Sequence, residues 1–416
     1  MQLRALAVLF SLSIALTNAS GQDEHAGHDM SGDSARTGPT VTAGASAILL
    51  GTMVKPGVNN RTLAEGYLTQ PMVMAMLMTP RERFVAELTL NFEGSTLDRG
   101  ELNPGVHGEG YIDRRHPHTL VHELVGTGNF TIREVRMSLT GGKGFVPFGT
   151  DDPMSRPFVK YPVNHHLAQI LERGLISVAV ATGPFMIEGA TFNGDEPDGP
   201  YDLPNWDRFG DSWSTRLTAR SKGMEVQASA ARVESPEHAQ GGGLDHRKLS
   251  ASARFESKGR YALAEWARTR EGEGSTTAFT FSSALAEGSV ALGRFTVGAR
   301  AERTERPEEE RALNAFRTPR PHSDLGIIGI TRWNILTLSV GAALPSYRKV
   351  RASTFAEVST QKPVATASPA VFIPEDFYGK SRLWSFSLGA RLGAGMKHGR
   401  MGRYGAAASQ KMEMVH

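Results

Sequence analysis

Strict alternation of apolar with small or polar residues is the feature that most constrains how this chain folds. Between Leu383 and Met396 the even positions are apolar, and the odd positions from Ser385 onward are Ser, Gly or Arg. Successive side chains of a β-strand point to opposite faces, so this segment has one apolar face and one polar face. In a soluble sheet the apolar face packs on a core. In a membrane barrel it faces lipid, and the polar face lines a lumen.

The same period-two pattern recurs along most of the chain. It predicts strands at about 45–55, 70–79, 83–93, 131–141, 174–182, 184–193, 211–221, 223–234, 247–257, 260–270, 275–284, 289–303, 322–333, 335–345, 350–359 and 382–396. The polar faces of these segments carry both Arg and Glu, which argues against a purely anionic or purely cationic lumen. Alternation alone is compatible with a soluble sandwich as well as with a membrane barrel.

Turn signals divide these segments into hairpins. Tight turns are predicted at Lys222-Gly223, Lys258-Gly259 and Glu287-Gly288, and longer polar stretches lie at 194–210, 235–246 and 303–321. Short turns at one end and long loops at the other are typical of outer-membrane barrels. Strict alternation of strand direction places 359–380 at the short-turn end, although its length predicts the other end. One element between 303 and 380 is therefore miscounted.

The N-terminus has the three regions of a secretory signal peptide. A basic start ends at Arg4, an apolar run extends from Ala5 to Thr17, and small residues precede a predicted cleavage before Gln22. This run is too short to span a membrane, and no later run reaches the about 18 apolar residues that a spanning helix needs. The predicted organisation is a signal peptide (1–21), a disordered polar segment containing His (22–44), an outer-membrane β-barrel (45–396) and a C-terminal tail (397–416).

Composition agrees with a barrel and excludes other classes. The 416 residues include 45 Gly and no Cys, and the net charge is +3. Without Cys there is no disulfide framework and no thiol chemistry, and without a basic stripe we expect no nucleic acid as a partner. The length suits one large barrel and the apolar fraction is only 40%. We therefore predict an all-β fold, an antiparallel transmembrane β-barrel of about 14–18 strands with long extracellular loops.

The alternation also predicts which side chains face outward. A first set should contact lipid: Phe84, Leu88, Trp213, Phe255, Phe295, Trp384 and Phe386. A second set should line the lumen: Arg136, Arg216, Arg254 and Arg391.

One long stretch differs from the rest of the chain. Gly144 to Val163 is rich in Pro, Phe and Asp and predicts an ordered loop, and Asn164 to Gly174 has the cap and the apolar spacing of a short helix. Folded inward, this stretch would constrict a pore; otherwise it is a loop that packs on its own barrel. The candidate constriction residues are Asp151, Asp152, Arg156, Lys160, His165, His166, Glu172 and Arg173.

With these features the chain resembles the porin-like outer-membrane β-barrels of Gram-negative bacteria over residues 45–396. Three phrases are similar to stretches of such proteins: G-F-V-P-F-G-T-D-D-P-M (144–154), Y-P-V-N-H-H (161–166) and M-G-R-Y-G (401–405). The resemblance implies a barrel in the outer membrane, and it implies no particular substrate. Many of these barrels end on an aromatic residue of the last strand, whereas here a tail follows and ends in Val415-His416.

Two histidine-containing stretches are candidate metal sites. The first contains His107, His116, His118 and His122, and the second contains His25, His28 and Met30. Imidazole binds zinc, copper and nickel, and thioether sulfur selects Cu(I), so copper is the metal that the second stretch indicates. The spacing matches no catalytic zinc motif. The alternative is that the first set forms hydrogen bonds within a loop and that the second is a flexible end without a cofactor.

Three function classes remain open. The first is an outer-membrane porin-like channel that passes small hydrophilic solutes or ions, with lipid and lipopolysaccharide as its surroundings. The second is an outer-membrane copper-binding or metal-resistance barrel. The third is a secreted soluble β-protein. No enzyme is expected, because neither a readable Ser/His/Asp order nor a G-x-S-x-G motif is present. The oligomeric state is left open.

Overall fold

Sixteen antiparallel strands form a closed barrel in the computed structural model of this chain. The structure describes residues 38–96, 119–150, 156–160, 162–163, 165–197, 199–309, 326–367, 370–397 and 399–408. The strands are Thr40–Lys55 (β1), Leu63–Met78 (β2), Phe84–Asn91 (β3), Val121–Ile132 (β4), Val135–Gly144 (β5), Arg173–Thr182 (β6), Phe185–Phe192 (β7), Ser212–Ser221 (β8), Met224–Val233 (β9), Asp245–Ser257 (β10), Arg260–Glu273 (β11), Thr276–Leu292 (β12), Phe295–Glu309 (β13), Ile327–Ala343 (β14), Val350–Ala365 (β15) and Leu383–Gly395 (β16).

Each strand pairs with its neighbours in sequence, and the ring closes where β1 pairs with β16. Ile48 lies opposite Arg391 at this seam. In the part of the chain that the structure describes, the connections contain two short α-helices, His165–Ala168 (α1) and Pro374–Tyr378 (α2). Within the described ranges, no helix is long and apolar enough to cross a membrane.

The side chains alternate between the two faces of the wall as the sequence predicts. In β11, Leu263, Glu265 and Ala267 are buried on the inner face, whereas Trp266 is 42% exposed on the outer face. The inner faces of the strands carry many Arg, Glu, Ser and Thr side chains, and the outer faces are largely apolar. This is the inside-out arrangement of a barrel with a polar lumen.

The predicted facing is confirmed for both sets of residues. Five of the predicted outward residues are exposed, and two are half-buried on the same face: Phe84, Trp213, Phe295, Trp384 and Phe386, then Leu88 and Phe255. The predicted inward arginines lie on the lumen face: Arg136, Arg216, Arg254 and Arg391.

The two ends of the barrel carry different connections. At one end the connections are short: 79–83, 133–134, 183–184, 222–223, 258–259, 293–294 and 344–349. At the opposite end most are long: 56–62, 92–120, 145–172, 193–211, 234–244, 274–275, 310–326 and 366–382. The asymmetry that the turn signals predicted is therefore present, with 56–62 and 274–275 as the shorter members of the long-loop end.

One predicted turn is wrong. Glu287-Gly288 lies inside β12, where Glu287 is opposite Arg300. The chain reverses instead at Gly293, whose φ of 62° is a conformation that favours Gly. Glu287 remains in the strand because its carboxylate forms a buried ion pair with the guanidinium of Arg300, at 2.7 Å.

The miscounted element between 303 and 380 is β14. The alternating segments 322–333 and 335–345 are one continuous strand from Ile327 to Ala343, because Asn334 occupies an exposed strand position rather than a turn. The connection 366–382 consequently lies with the long loops. The sequence pattern also missed β4, whose G-T-G weakens the apolar alternation.

The predicted helix over 164–174 is shorter than expected. Among residues 165–174, which the structure describes, His165–Ala168 alone is helical, and Arg173 and Gly174 already belong to β6. Gly174 pairs with Lys143 of β5, so the sheet takes over the C-terminal part of the predicted helix.

Candidate functional site in the barrel lumen

Two segments outside the wall fold into the lumen. The inward loop comprises the described residues of the connection 145–172, between β5 and β6, and enters from the long-loop end. The C-terminal segment comprises residues 399–408, after β16, and enters from the short-turn end. The two segments meet where the backbone N–H of Phe145 donates a hydrogen bond of 2.9 Å to the Tyr404 hydroxyl.

The start and the end of the inward loop pack against the wall formed by β6 to β9. Val146, Phe148 and Ile170 form a buried apolar cluster with wall residues that include Phe192. The turn at Gly149 requires glycine, because its φ is +68° and an added Cβ would lie 1.6 Å from the carbonyl oxygen of Ala168. This close approach brings the two halves of the loop together.

The middle of the inward loop reaches β11 and β12 through Arg156. Arg156 is 2% exposed, and its Nη2 lies 3.1 Å from Glu265 Oε2 on β11. Its Nε lies 3.7 Å from Glu287 on β12, whose other oxygen pairs with Arg300. The buried carboxylate of Glu287 is therefore shared by two arginines, one from the wall and one from the loop.

Wall carboxylates also hold the backbone of the loop. The N–H of Val159 donates to Glu357 over 2.7 Å, and the N–H of Val163 donates to Glu302 over 2.8 Å. In the reverse direction, Arg300 donates to the carbonyl oxygen of Lys160 over 2.9 Å. Burial lowers the pKa of the Lys160 ammonium to about 7, although Glu357 and Glu302 oppose this shift.

An apolar cluster fixes the same part of the loop to the seam side of the barrel. Val159 and Val163 pack with buried residues of β1, β2 and β14 to β16, among them Trp333. Tyr378 of α2 joins the cluster and is fully buried against Trp333, with ring centroids 5.9 Å apart. The inward loop thus contacts opposite walls and crosses the lumen.

The last candidate constriction residues are held at the wall. The Glu172 carboxylate contacts Thr119 and the His122 ring, and lies 3.6 Å from the Lys143 ammonium. Arg173 is 2% exposed and pairs with Glu196 at 2.9 Å. Glu172 and Arg173 therefore anchor the end of the loop.

Only some of the site residues predicted from the sequence lie in the part of the chain that the structure describes. Asp151, Asp152 and the histidine and methionine candidates at 25, 28, 30, 107, 116 and 118 lie outside the described residues. His165 and His166 lie in α1, and His122 is fully buried on β4. Where the chain is described, no group of three or more His, Asp or Glu residues could hold a metal ion. The metal sites stay predictions.

Sequence reasoning missed the C-terminal segment as part of the lumen. Arg400 and Arg403 pair with Glu225 at 2.7 and 2.9 Å, and Arg403 also lies 3.3 Å from Glu188. Glu188 in turn pairs with Arg216 at 2.6 Å. The phrase M-G-R-Y-G (401–405) was the one signal in this region, and its inward position could not be inferred from it.

The described residues leave two cavities at the short-turn end of the lumen. One is about 420 Å³ and is lined by cations that outnumber its two acids, Glu225 and Glu256: Arg136, Arg220, Lys222, Arg254 and Arg400. The other, here called the seam cavity, is about 520 Å³ and lies against β1, β2, β15 and β16. Its cations are Arg351, Arg391 and Lys397. This end of the lumen therefore has a positive lining.

The barrel is similar to solved structures of outer-membrane proteins. OmpF from Salmonella typhi, in complex with daunomycin, has 10% identity and a TM-score of 0.51, over 85% of this chain and 98% of that chain. An anion-selective porin from Comamonas acidovorans has 9% identity and a TM-score of 0.49, over 86% of this chain and 100% of that chain. A loop-deletion mutant of OmpT from Vibrio cholerae has 8% identity and a TM-score of 0.49, over 86% of this chain and 99% of that chain. No protein-family model matches the chain, and no curated protein matches it significantly.

The likeness to OmpF shows the fold. With sixteen antiparallel strands, a closed ring and an apolar exterior, the chain has the barrel fold of outer-membrane porins.

Proposed function

We propose that this protein is an outer-membrane channel through which small hydrophilic solutes or ions diffuse, and that it has no enzymatic activity. It would be exported by the signal peptide at 1–21 and surrounded by outer-membrane lipid and lipopolysaccharide. Barrels of about 16 strands are wide enough for an aqueous lumen, which supports this function. In this setting the long-loop end is extracellular and the short-turn end is periplasmic.

The inward loop is the observation that carries the proposal. Its ion pairs from Arg156 to Glu265 and Glu287, and its backbone hydrogen bonds to Glu357 and Glu302, fix it across the lumen. A fixed loop of this kind reduces the aperture without closing the wall. Its charges lie in a low-dielectric surrounding and would strongly bias which ions pass.

Conductance measurements on a shortened loop test this function. Residues 150–170 are deleted, and the purified, still folded barrel is inserted into a planar bilayer. We expect a higher single-channel conductance than in the full-length protein, because the deletion removes the segment that crosses the lumen. Unchanged conductance would place the narrowest point elsewhere, and absence of channels in both forms would refute the proposal.

A control deletion removes residues from a different connection of the long-loop end. Shortening the extracellular connection 366–382 is unsuitable, because α2 packs into the apolar cluster beside Trp333. The connection 234–244 is the better choice, and its shortening should leave the conductance unchanged. Heat-dependent migration in detergent gels verifies that each variant is folded.

A further inference from the structure

Several arginines lie on the outer face of the barrel, where the alternation otherwise places apolar side chains. They are here called the arginine cluster, and they come from the end of β9, the start of β10 and the end of β11: Arg232, Arg247, Arg268 and Arg270. Each lies an even number of residues from an exposed apolar side chain of its own strand, namely Val226, Leu249 or Trp266. The four side chains therefore point away from the lumen.

Strand pairing brings the members of the arginine cluster together. Arg247 is directly opposite Arg232 on one side and Arg270 on the other, and Arg268 is opposite Leu249. Side chains that are directly opposite have Cβ atoms about 5 Å apart, and diagonal neighbours are about 7–8 Å apart. Like charges at these separations repel, so an anion among the guanidinium groups would stabilise the arrangement.

The acids on this part of the outer face do not neutralise the arginine cluster. Asp245 and Glu234 both pair with Arg232, at 2.8 and 3.4 Å. Arg247 donates to the carbonyl oxygen of Gly274, which carries no charge. In the described part of the chain, the other three arginines form no ion pair with an Asp or Glu. The cluster therefore has a net positive charge and N–H donors that can bind the oxygens of an anion.

The arginine cluster lies where the lipid-facing band of the barrel ends. Its strands are joined beside it by the connections 234–244 and 274–275, both at the long-loop end. Trp213, at the start of β8, is directly opposite Arg232 and is exposed on the outer face. Tryptophan is enriched where a membrane meets water, so this row of strand residues is expected at the level of the lipid headgroups.

Apolar side chains continue the outer face from the arginine cluster toward the middle of the barrel. Leu249 lies opposite Arg268, and Trp266 lies two residues before Arg268 on the same face. Ala251 is opposite Trp266, and all three apolar side chains are exposed. An acyl chain can lie along them while a phosphate group binds the arginines, whereas a free inorganic anion would contact the arginines alone.

We propose that the arginine cluster is a binding site for a phosphorylated lipid of the outer leaflet, with phosphate oxygens bound by the guanidinium groups and acyl chains along Leu249 and Trp266. Arginine suits this role, because its planar guanidinium can donate two hydrogen bonds to one phosphate group. A headgroup with two phosphates matches a cluster that spreads over three strands. The inference rests on the proposed orientation, in which the long-loop end is extracellular, and it is independent of conduction.

Titration of the full-length barrel in detergent micelles with diphosphoryl lipid A tests the site, with bound lipid measured by native mass spectrometry. Lipid A should bind with saturation, and the same lipid without its phosphate groups should bind about tenfold more weakly or less. Arg270→Gln should weaken lipid A affinity about tenfold, and Arg270→Lys should retain part of it. Arg260→Gln is the matched control and should have no effect, because Arg260 is exposed on the outer face of the same strand at the short-turn end.

Each outcome has a defined meaning. Unchanged affinity in Arg270→Gln, or equal affinities for lipid A with and without phosphates, would overturn the site. Displacement of lipid A by an equal concentration of inorganic phosphate would overturn the lipid as its occupant. Loss of affinity in Arg260→Gln alone would place the phosphates at the short-turn end and overturn the proposed orientation as well.

The test also separates this site from the proposed channel. Mass spectrometry does not require conduction, so lipid A binding by a barrel that forms no channels would support the site and refute only the channel. Channels formed by a barrel that does not bind lipid A would do the reverse.

Discussion

Tyr404 Oη donates a hydrogen bond of 2.8 Å to Glu123 Oε1, and this contact joins the C-terminal segment to the wall strand β4. The tyrosine is buried, and burial together with the adjacent Glu123 raises its pKa, so the hydroxyl remains protonated and able to donate. The same oxygen accepts the N–H of Phe145. One hydroxyl therefore connects the wall, the inward loop and the C-terminal segment.

Replacing Tyr404 with Phe should destabilise the barrel by about 1–3 kcal/mol, because the buried Glu123 carboxylate and the Phe145 N–H each lose a partner. The midpoint of urea unfolding in lipid vesicles measures this change. Tyr347→Phe is the matched control, since Tyr347 is 72% exposed and should tolerate the change. Equal midpoints for the two variants would contradict the assigned role of the hydroxyl.

Removing Arg156 should change the ion preference of the channel. Arg156→Ala leaves Glu265 and Glu287 with one cation fewer at the level of the inward loop, so the local charge becomes more negative. We expect the reversal potential in a KCl gradient to shift toward cation preference. The variant also separates a buried charge pair, which costs about 3–5 kcal/mol, so its folding has to be verified first. A shift toward anions would argue against a constriction at this level.

The two faces of one strand should differ in their tolerance of a charge. Leu338 is 52% exposed on the outer face of β14, and its neighbour Ser339 faces inward, 3.2 Å from the Glu357 carboxylate. Leu338→Arg should cost about 2–4 kcal/mol, because the guanidinium enters lipid. Ser339→Arg should cost much less, since Glu357 offers a counter-charge. Unfolding midpoints of both variants give the comparison, and similar losses would be inconsistent with a lipid-facing exterior.

The stability of the barrel should depend on Lys160 above neutral pH. Its pKa is about 7 in the folded state, whereas that of an unfolded lysine is about 10.4. Between these values the unfolded state binds more protons, so this residue makes the stability rise as the pH increases from 7 toward 10. In Lys160→Met this part of the pH dependence should disappear. Urea midpoints at pH 7.5 and 9.5 measure it, and an identical rise in the variant would assign the effect to other groups.

Most strands of the wall could be predicted from the sequence. Each strand buries one face, and the period-two pattern shows which residues lie on that face. β6 to β9 agree with the prediction to within a residue or so at each end, since Gly at 183 and 223 terminates their alternation. The pattern failed where a polar residue stands in a continuous strand. A turn was predicted at Glu287-Gly288 and a strand boundary at Asn334. Both residues instead pair with an adjacent strand and lie within the sheet.

The contents of the lumen were harder to predict. Nothing in the local sequence distinguishes Arg156 from an arginine of a solvated loop. Its partners Glu265 and Glu287 are more than a hundred residues away in sequence, so local patterns do not reveal the contact. The period-two pattern indicates which face of a strand is buried, but it does not indicate which segment of the chain fills the lumen. The inward course of 145–172 was anticipated from its composition, whereas that of 399–408 had no local signal.

The C-terminal segment is attached without any strand pairing to the wall. Wall side chains bind its carbonyl oxygens, as Arg216 does at Gly402, or pair with its arginines, as Glu225 does. Its unbinding would therefore leave the interstrand hydrogen bonds of all sixteen strands intact. Access through the short-turn end would then change by the loss of the ion pairs of this segment and of the Tyr404 hydrogen bonds, while the strand pairing of the barrel is kept. The ion-pair part of the free-energy cost would depend on salt.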